Sequence, residues 1–222
     1  MKHLVVLSGA GMSAESGLKT FRDSNGLWEG HDVMSVASPQ GFKSNPELVL
    51  EFYNQRRRQL LEVKPNSGHQ YLADLERDFK VSIVTQNVDD LHERAGSKSV
   101  LHLHGELFKV RSTYDSSDVK EWKNDLNIGD LCSKGHQLRP DIVWFGEEVP
   151  AIARAISICE KADVLIIIGT SMQVYPAANL INYAEPRTEI YYIDPNPAAV
   201  HHPKLTVIAE KASSGLKKIN FK

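Results

Sequence analysis

Several short runs rich in Val and Ile recur along the chain: HLVVLS (3–8), KVSIVTQN (80–87), DVLIIIGTS (163–171), EIYYID (189–194) and LTVIAE (205–210). Their apolar positions are successive rather than alternate, the pattern of parallel strands buried on both faces. SVLHLHG (99–105) and DIVWFG (141–146) are weaker strand candidates. Between these runs the period becomes helical. GHQYLADLERDF places Tyr71, Leu72, Leu75 and Phe79 on one stripe, and AIARAISICEKA repeats the pattern. Alternating strands and helices predict an α/β fold, a Rossmann-like doubly wound parallel sheet with ligands at the carboxyl ends of its strands.

Two stretches interrupt the alternation. Residues 23–68 show no strand and read as helical, with PELVLEFYNQRRRQLLEV (46–63) as the long element, and residues 106–140 are polar, mixed and Gly-containing. One domain over 1–222 is therefore expected. Its Rossmann-like part takes approximately 1–30, 65–105 and 140–222, and a small inserted helical or irregular lobe takes approximately 31–64 and 106–139. The cleft between the two parts is the expected binding site.

Composition narrows the classes. Hydrophobic residues make up 41% and charged residues 24%, as in ordinary globular proteins. A net charge of -2 gives no general attraction to nucleic acid or membrane. No segment approaches the roughly 20 apolar residues of a membrane span. The apolar run in MKHLVVLSGAG is too short for a secretory core and reads as a first strand. Cys132 and Cys159 are the only cysteines, too few for a disulfide framework or a four-thiolate zinc site. They suit a reducing, cytoplasmic setting. The one basic run, Arg56-Arg57-Arg58, taken alone reads as a solvated helix face.

Candidate chemistry gathers where the strand runs end. Gly9, Gly11 and Ala14 match the G-x-G-x-x-G/A pattern after a strand. Glycine there permits a tight turn and close approach to a pyrophosphate, and the following helix start attracts the anion. The same residues also suit a plain strand–turn–helix packed on small side chains. The next stretch, SGLKTFRDSNGLW, is a Gly-broken loop carrying Phe21, Arg22 and Trp28, expected to reach over a ligand. TQNVDD (85–90) offers Gln86, Asn87 and Asp89 either to a ribose or carboxamide, or as caps for the helix DDLHERA. GTSMQVYP (169–176) offers Gly169, Thr170 and Ser171. Asp194 is placed for ribose hydroxyls, or as a turn acid before Pro195. In LHLHGEL (101–107), His102 and His104 share one side of a strand. They are a candidate base or structural histidines, and as a metal pair they lack a nearby third ligand.

GAGMSAESGLKTFR, TQNVDDLHERAG, LHLHGEL, LRPDIVWFGEEVP and GTSMQVYPAA stand here in the order found in the sirtuins, the NAD-consuming protein lysine deacylases. The resemblance runs from about residue 3 to about residue 216. It implies that NAD is held as a consumed co-substrate, not as a hydride carrier. The acyl-lysine carbonyl oxygen attacks the ribose carbon as nicotinamide leaves, and His104 is then the general base on a ribose hydroxyl. The implied products are free lysine, nicotinamide and O-acyl-ADP-ribose. By motif position, Gly9, Ala10, Gly11, Ser13, Phe21, Arg22 and Trp28 would line the NAD loop. Gln86, Asn87 and Asp89 would contact the nicotinamide ribose and carboxamide. Gly169, Thr170 and Ser171 would contact the phosphates and adenosine ribose, with Ala212 near the adenine. Val143 to Val149, including Phe145, Gly146 and Glu147, would supply an edge strand on which the substrate peptide pairs.

Within that resemblance, FYNQRR gains a sharper meaning. Tyr53 and Arg56 stand one helical turn apart, the Y-x-x-R spacing of the sirtuin branch (class III) that removes acidic acyl groups. A guanidinium takes a carboxylate through two hydrogen bonds and a phenol adds a third. Succinyl-lysine, malonyl-lysine and glutaryl-lysine become the expected substrates, with acetyl-lysine weaker. On spacing alone, Tyr53 would be a core residue and Arg56 one more exposed charge.

The chain also departs from the family. Most sirtuins carry two Cys-x-x-Cys pairs for a structural zinc; here those regions read KVRSTYDSS and LCSKGHQL, leaving Ser112, Asp115, Cys132 and His136. A tetrahedral site needs four good ligands, so no metal is expected. Lys19 replaces the usual Pro before the Phe-Arg region. Asp194, with Asn196 two later, replaces a usual Asn; either could take the adenosine ribose, and an acid there disfavours NADP. The expected partners are acyl-lysine proteins or peptides, with no nucleic acid or membrane, and the chain is expected to act as a monomer. A plain deacetylase, an ADP-ribosyltransferase and a non-catalytic NAD sensor are the competing readings.

Overall fold

The structure, a computed structural model, describes residues 1–19, 27, 28 and 30–221. Its strands are β1 (His3–Ser8), β2 (Leu27–Trp28), β3 (His31–Asp32), β4 (Lys80–Thr85), β5 (Val100–His102), β6 (Gly105–Ser112), β7 (Val119–Glu121), β8 (Leu138–Ile142), β9 (Val164–Ile168), β10 (Glu189–Ile193) and β11 (Leu205–Ile208). Its helices are α1 (Gly11–Ala14), α2 (Val33–Val36), α3 (Pro39–Ser44), α4 (Pro46–Glu62), α5 (Ser67–Asp74), α6 (Leu91–Arg94), α7 (Ile152–Cys159) and α8 (Ala212–Leu216).

Six strands form one sheet in the order β11-β10-β9-β1-β4-β5, with every neighbouring pair parallel. The chain runs outward from β1 through β4 to β5, then returns to build β9, β10 and β11 on the other side. That reversal between β1 and β9 is the switch point at which doubly wound sheets bind ligands. The uninterrupted apolar runs have a direct cause. Val5 and Leu7 of β1 face a core shared with α7 and residues 177–181, while Leu4 and Val6 face a second core shared with α5 and α8. Both faces are covered, so the middle of the strand is apolar throughout, and its two polar residues, His3 and Ser8, stand at its ends.

The small lobe differs from its expectation. Instead of being only helical and irregular, it contains a three-stranded antiparallel sheet, β7-β6-β8. DIVWFG enters at the end of β8 and so belongs to this sheet rather than the parallel one. In GELFKVRS, Phe108, Val110 and Ser112 are buried while Lys109 and Arg111 are half-buried, the alternation of a sheet with one wet face. The charges in that alternation masked the strand. Residues 23–68 also hold a strand pair where none was expected: Leu27–Trp28 pairs with His31–Asp32 across Gly30, whose φ is +82°.

Helix α4 joins the lobe's two cores. Asn45 caps it by accepting from the Leu48 amide, and Pro46 opens it. Its inner face places Val49, Phe52, Tyr53 and Leu60 against Leu107, Phe108, Ile142 and Trp144, and Leu50 against Val110, Leu126 and Leu138. The basic run divides three ways. Arg57 is fully buried and donates to Leu107 O (3.1 Å) and Asn54 Oδ1 (2.7 Å). Arg58 pairs at the surface with Glu51 and Asp125, and Arg56 is half-buried. Among the described residues no helix is long and apolar enough to cross a membrane.

Candidate active site

The glycine loops meet each other at the switch point. Gly9 N donates to Ile168 O (3.0 Å) and Gly11 N to Gly169 O (2.8 Å). A Cβ on Gly9 would lie 2.7 Å from Gly169 O, and one on Gly11 2.7 Å from Gly169 Cα. A Cβ on Gly169, whose φ is +62°, would lie 2.3 Å from Met12 N. These glycines are thus required by the contact of one loop with the other, and not only by a ligand's approach. Helix α1 is four residues long, and its first amides go to Gly169 O and Gly9 O, so it offers little of the free helix start that the motif suggested. Ala10 is exposed at the rim. Phe21 and Arg22 lie outside the described residues. Trp28, expected with the NAD loop, packs edge-on against Phe52 (5.0 Å between centroids) and Tyr53 (6.4 Å).

Below these loops lies a buried polar layer. Ser13 Oγ donates to Asp89 Oδ2 (2.9 Å) and accepts from Asn87 Nδ2 (3.0 Å). The Asn87 amide donates to Thr85 Oγ1 (3.0 Å), which also accepts from Ser8 Oγ (2.8 Å), and Ser8 Oγ contacts His92 Nε2 (2.9 Å). Ser13, Asn87 and Asp89 are all buried, so they form the floor of the site. Burial raises the Asp89 carboxyl from 3.8 to about 6 despite its bonds from Ser13 and the Leu91 amide. Gln86 Nε2 donates to Thr170 Oγ1 (3.0 Å) and ties the β4 end to the β9 end. Thr170 is buried and Ser171 half-buried. Asp194 is buried and accepts from the Asn196 amide (2.8 Å), while the Asn196 side chain is exposed. Ala212, expected beside an adenine, packs into the core under β10.

The two histidines have opposite protonation. His102 contacts Asn87 O through Nδ1 (2.9 Å) and the Glu93 carboxylate through Nε2 (2.8 Å). Both partners only accept, so both nitrogens donate and the ring is an imidazolium. Burial is the largest single influence and opposes that charge, but the bond and charge of Glu93, Asn87 O and the Glu106 charge together exceed it and raise the pKa. Among the described residues His104 hydrogen-bonds only to Gln86 O, through Nδ1 (3.0 Å), and burial lowers its pKa. Its proton therefore sits on Nδ1, and Nε2 keeps an accessible lone pair. His104 is the residue that can act as a base. His102 cannot, and this distinction was invisible in the motif.

Across the cleft stands an aromatic box. Tyr53 is buried, and its hydroxyl accepts from Trp144 Nε1 (2.9 Å). The Arg56 guanidinium lies 3.6 Å over the Phe52 ring, with Nη1 donating to Phe52 O (2.5 Å). Residues 143–149, expected as an edge strand, instead turn. Glu147 N donates to Trp144 O (3.0 Å), and Gly146 has a φ of +90°, which breaks extension. Val143 N is taken by His104 O (2.9 Å) and Phe145 N by Ala37 O (2.9 Å). Phe145 and Gly146 are exposed. The Glu147 carboxylate is held by Arg139 (2.6 and 3.0 Å), Arg111 (3.2 Å) and the Trp144 amide (2.8 Å), so it secures the turn. The sequence places Trp144 only within the expected edge strand and gives Arg139 no role of its own. The one available signal was the Arg and the Trp inside the run LRPDIVWF.

Hydrogen bonds of their own side chains tie the turns around Ser112 and Cys132 together. Ser112 Oγ accepts from the Tyr114 (3.1 Å) and Asp115 (3.3 Å) amides and donates to Cys132 Sγ (3.3 Å). Tyr114 stacks on His136 at 4.3 Å, and Lys134 pairs with Asp115 (3.1 Å). Among the described residues no group of three or more His, Cys, Asp and Glu side chains could hold a metal ion.

Comparison with known proteins agrees with this geometry. Residues 9–176 match the model of the Sir2 family. The chain is 63% identical over 204 residues to an NAD-dependent protein deacylase of Helicobacter pylori, covering 92% of this chain and 89% of that protein. It is 53% identical over 226 residues to one of Bacteroides thetaiotaomicron, covering 99% and 97%. A solved Sir2 homologue–NAD complex superposes with a TM-score of 0.86 at 42% identity, over 96% of this chain and 86% of that one. A Sir2–p53 peptide–NAD+ complex superposes with 0.80 at 27% identity, over 98% and 91%.

Proposed function

This chain belongs to the Sir2 family and is an NAD-dependent protein deacylase; from that premise we propose that its pocket selects lysine acyl groups ending in a carboxylate, succinyl and malonyl above all, with acetyl a weaker substrate. The carrying observation is the pair on α4. The buried Tyr53 hydroxyl and the half-buried Arg56 stand one turn apart, and the charge of Arg56 acts on that hydroxyl. An acetyl group has nothing for either residue to bind. A carboxylate would accept a charge-assisted bond from Arg56 and a neutral one from Tyr53.

The strand ends fit NAD. The paired glycine loops hold β1 and β9 together at the switch point, and Gln86, Ser171 and Asn196 remain only partly buried or exposed around it. NAD, when bound, supplies the nicotinamide–ribose bond that breaks and the ribose that accepts the acyl group. This chain's residues then do the following work. His104 Nε2 takes a proton from a ribose hydroxyl, because its Nδ1 proton is held by Gln86 O. The His102 cation holds Asn87 O and, through the adjoining peptide, the carbonyl that orients His104. Asn87 and Asp89 hold Ser13 and the first loop in place. The near-neutral net charge of -2 supports action on protein or peptide lysines rather than on nucleic acid.

The test is NAD-dependent deacylation of one peptide carrying acetyl- or succinyl-lysine, by wild type and Arg56→Met. Succinyl is expected to exceed acetyl in kcat/KM by about tenfold or more, roughly 1.4 kcal/mol, and Arg56→Met to erase that margin. Preference for acetyl, or an unchanged margin in Arg56→Met, overturns the proposal.

A further inference from the structure

The Tyr53 hydroxyl has a constraint that its position on α4 does not explain. An indole N–H can only donate, so in the 2.9 Å contact with Trp144 Nε1 the phenol oxygen is the acceptor. Its own proton must go elsewhere, and among the described residues no carbonyl or carboxylate accepts it. The hydroxyl is thus buried with its donor unused, beside the guanidinium of Arg56.

Trp144 is fixed well enough to impose this orientation. Its indole is buried, with the Arg139 guanidinium 3.3 Å over one ring and Phe42 5.2 Å away. Arg139 is anchored by both Glu147 oxygens and by Ile142 O (2.9 Å), and Glu147 in turn binds the Trp144 amide. The ring can neither swing nor slide without breaking that clamp.

We propose that Trp144 is a positioning residue for acyl selection: its indole N–H occupies one lone pair of the Tyr53 oxygen, disfavours the hydroxyl rotamer that points toward Trp144, and so directs the phenolic proton at the carboxylate of an acidic acyl-lysine. The inference rests on the acidic-acyl reading above. A chain from Trp144 N–H through Tyr53 O–H to the carboxylate also polarises the phenol, making it a better donor than a freely rotating hydroxyl. An acetyl group offers no acceptor at that depth and gains nothing. Trp144→Phe removes the N–H and keeps an aromatic ring under Arg139.

The experiment is a double-mutant cycle with Trp144→Phe and Tyr53→Phe, read as kcat/KM on succinyl and acetyl peptides, with Arg56→Met in parallel. Trp144→Phe should lower the succinyl-to-acetyl ratio by about three- to tenfold, the effect of one neutral hydrogen bond, chiefly through KM. It should add nothing once Tyr53 is Phe. A ratio that stays put in Trp144→Phe while Arg56→Met collapses it overturns this inference alone, as do additive effects of the two Phe variants. A ratio unmoved by Arg56→Met overturns the acidic-acyl reading and this inference with it. A second measurement needs no variant to fold: the Trp144 indole N–H resonance of the wild type should shift on binding succinyl peptide and not acetyl peptide. Equal shifts overturn the proposal.

Discussion

The strand-end floor and the turns around Ser112 and Cys132 are both networks of short polar side chains, but they are built on opposite terms. Ser8, Ser13, Thr85, Asn87, Asp89 and His92 are all buried together, and one carboxyl is held there against its hydration. Around Ser112 and Cys132 only those two side chains of the network are buried together, while Tyr114 is 69% exposed and Lys134 and Asp115 meet in water. Buried hydrogen bonds are directional and costly to break, so the floor fixes atoms to fractions of an ångström. Exposed pairs contribute about 0–1 kcal/mol and tolerate exchange. The difference separates a region that must hold a geometry from one that needs only to stay closed.

The largest expected effect tests the floor's purpose. His104→Ala should lower acyl transfer, followed as free lysine, by about 10²–10⁴-fold, the usual worth of a positioned base. Because burial lowers the His104 pKa, the neutral base survives below its ordinary 6.5, and the acid limb of kcat/KM should lie below that value. An acid limb above 6.5, or a modest loss in the variant, would hand the role to another group.

A smaller effect tests what the floor costs. The Asp89 carboxyl is raised in the folded state from 3.8 to about 6, so its favourable contribution is complete below 3.8 and lost as pH rises through 6. Above that it is ionised in a buried site and destabilises by roughly 2–3 kcal/mol. Asp89→Asn should therefore raise unfolding stability by an amount of that order at about pH 8, shrinking toward zero in acid, while activity falls. A stability gain independent of pH would mean that the carboxyl is not burdened by burial.

The smallest effects belong to the other region. Ser112→Ala removes the acceptor of the Tyr114 and Asp115 amides and should cost about 1–2 kcal/mol in urea unfolding while leaving turnover in place. Dialysis against a chelator should change neither the unfolding midpoint nor the rate. A chelator-sensitive midpoint would erase the comparison, because a metal would then be closing these turns.

Much of this was legible along the chain. The central strands β1 and β9 announced themselves because both of their faces are covered, which shows in one dimension as unbroken Val, Leu and Ile. Strand β6 did not, because its wet face carries Lys109 and Arg111 and reads as polar loop. The motif residues at the ends of β1, β4 and β9 do come together, yet Trp28 stands with Tyr53 and Phe52, and Glu147 is bound to Arg139 and Arg111.

The sequence by itself determined what depends on composition and on neighbours in the chain: the strands of the parallel sheet, the capped helix α4, the glycine pattern after the first strand, and the histidine pair. Only the tertiary structure decided which histidine is able to act as a base, because their charges are set by Gln86, Asn87 and Glu93 from other segments. It also decided why Gly9 and Gly11 are glycine, since the atoms they would strike belong to Gly169 and Thr170. It oriented the Tyr53 hydroxyl as well, through an indole 91 residues away. Protonation, close approach and hydroxyl direction are properties of surroundings in space, and linear order carries no record of them.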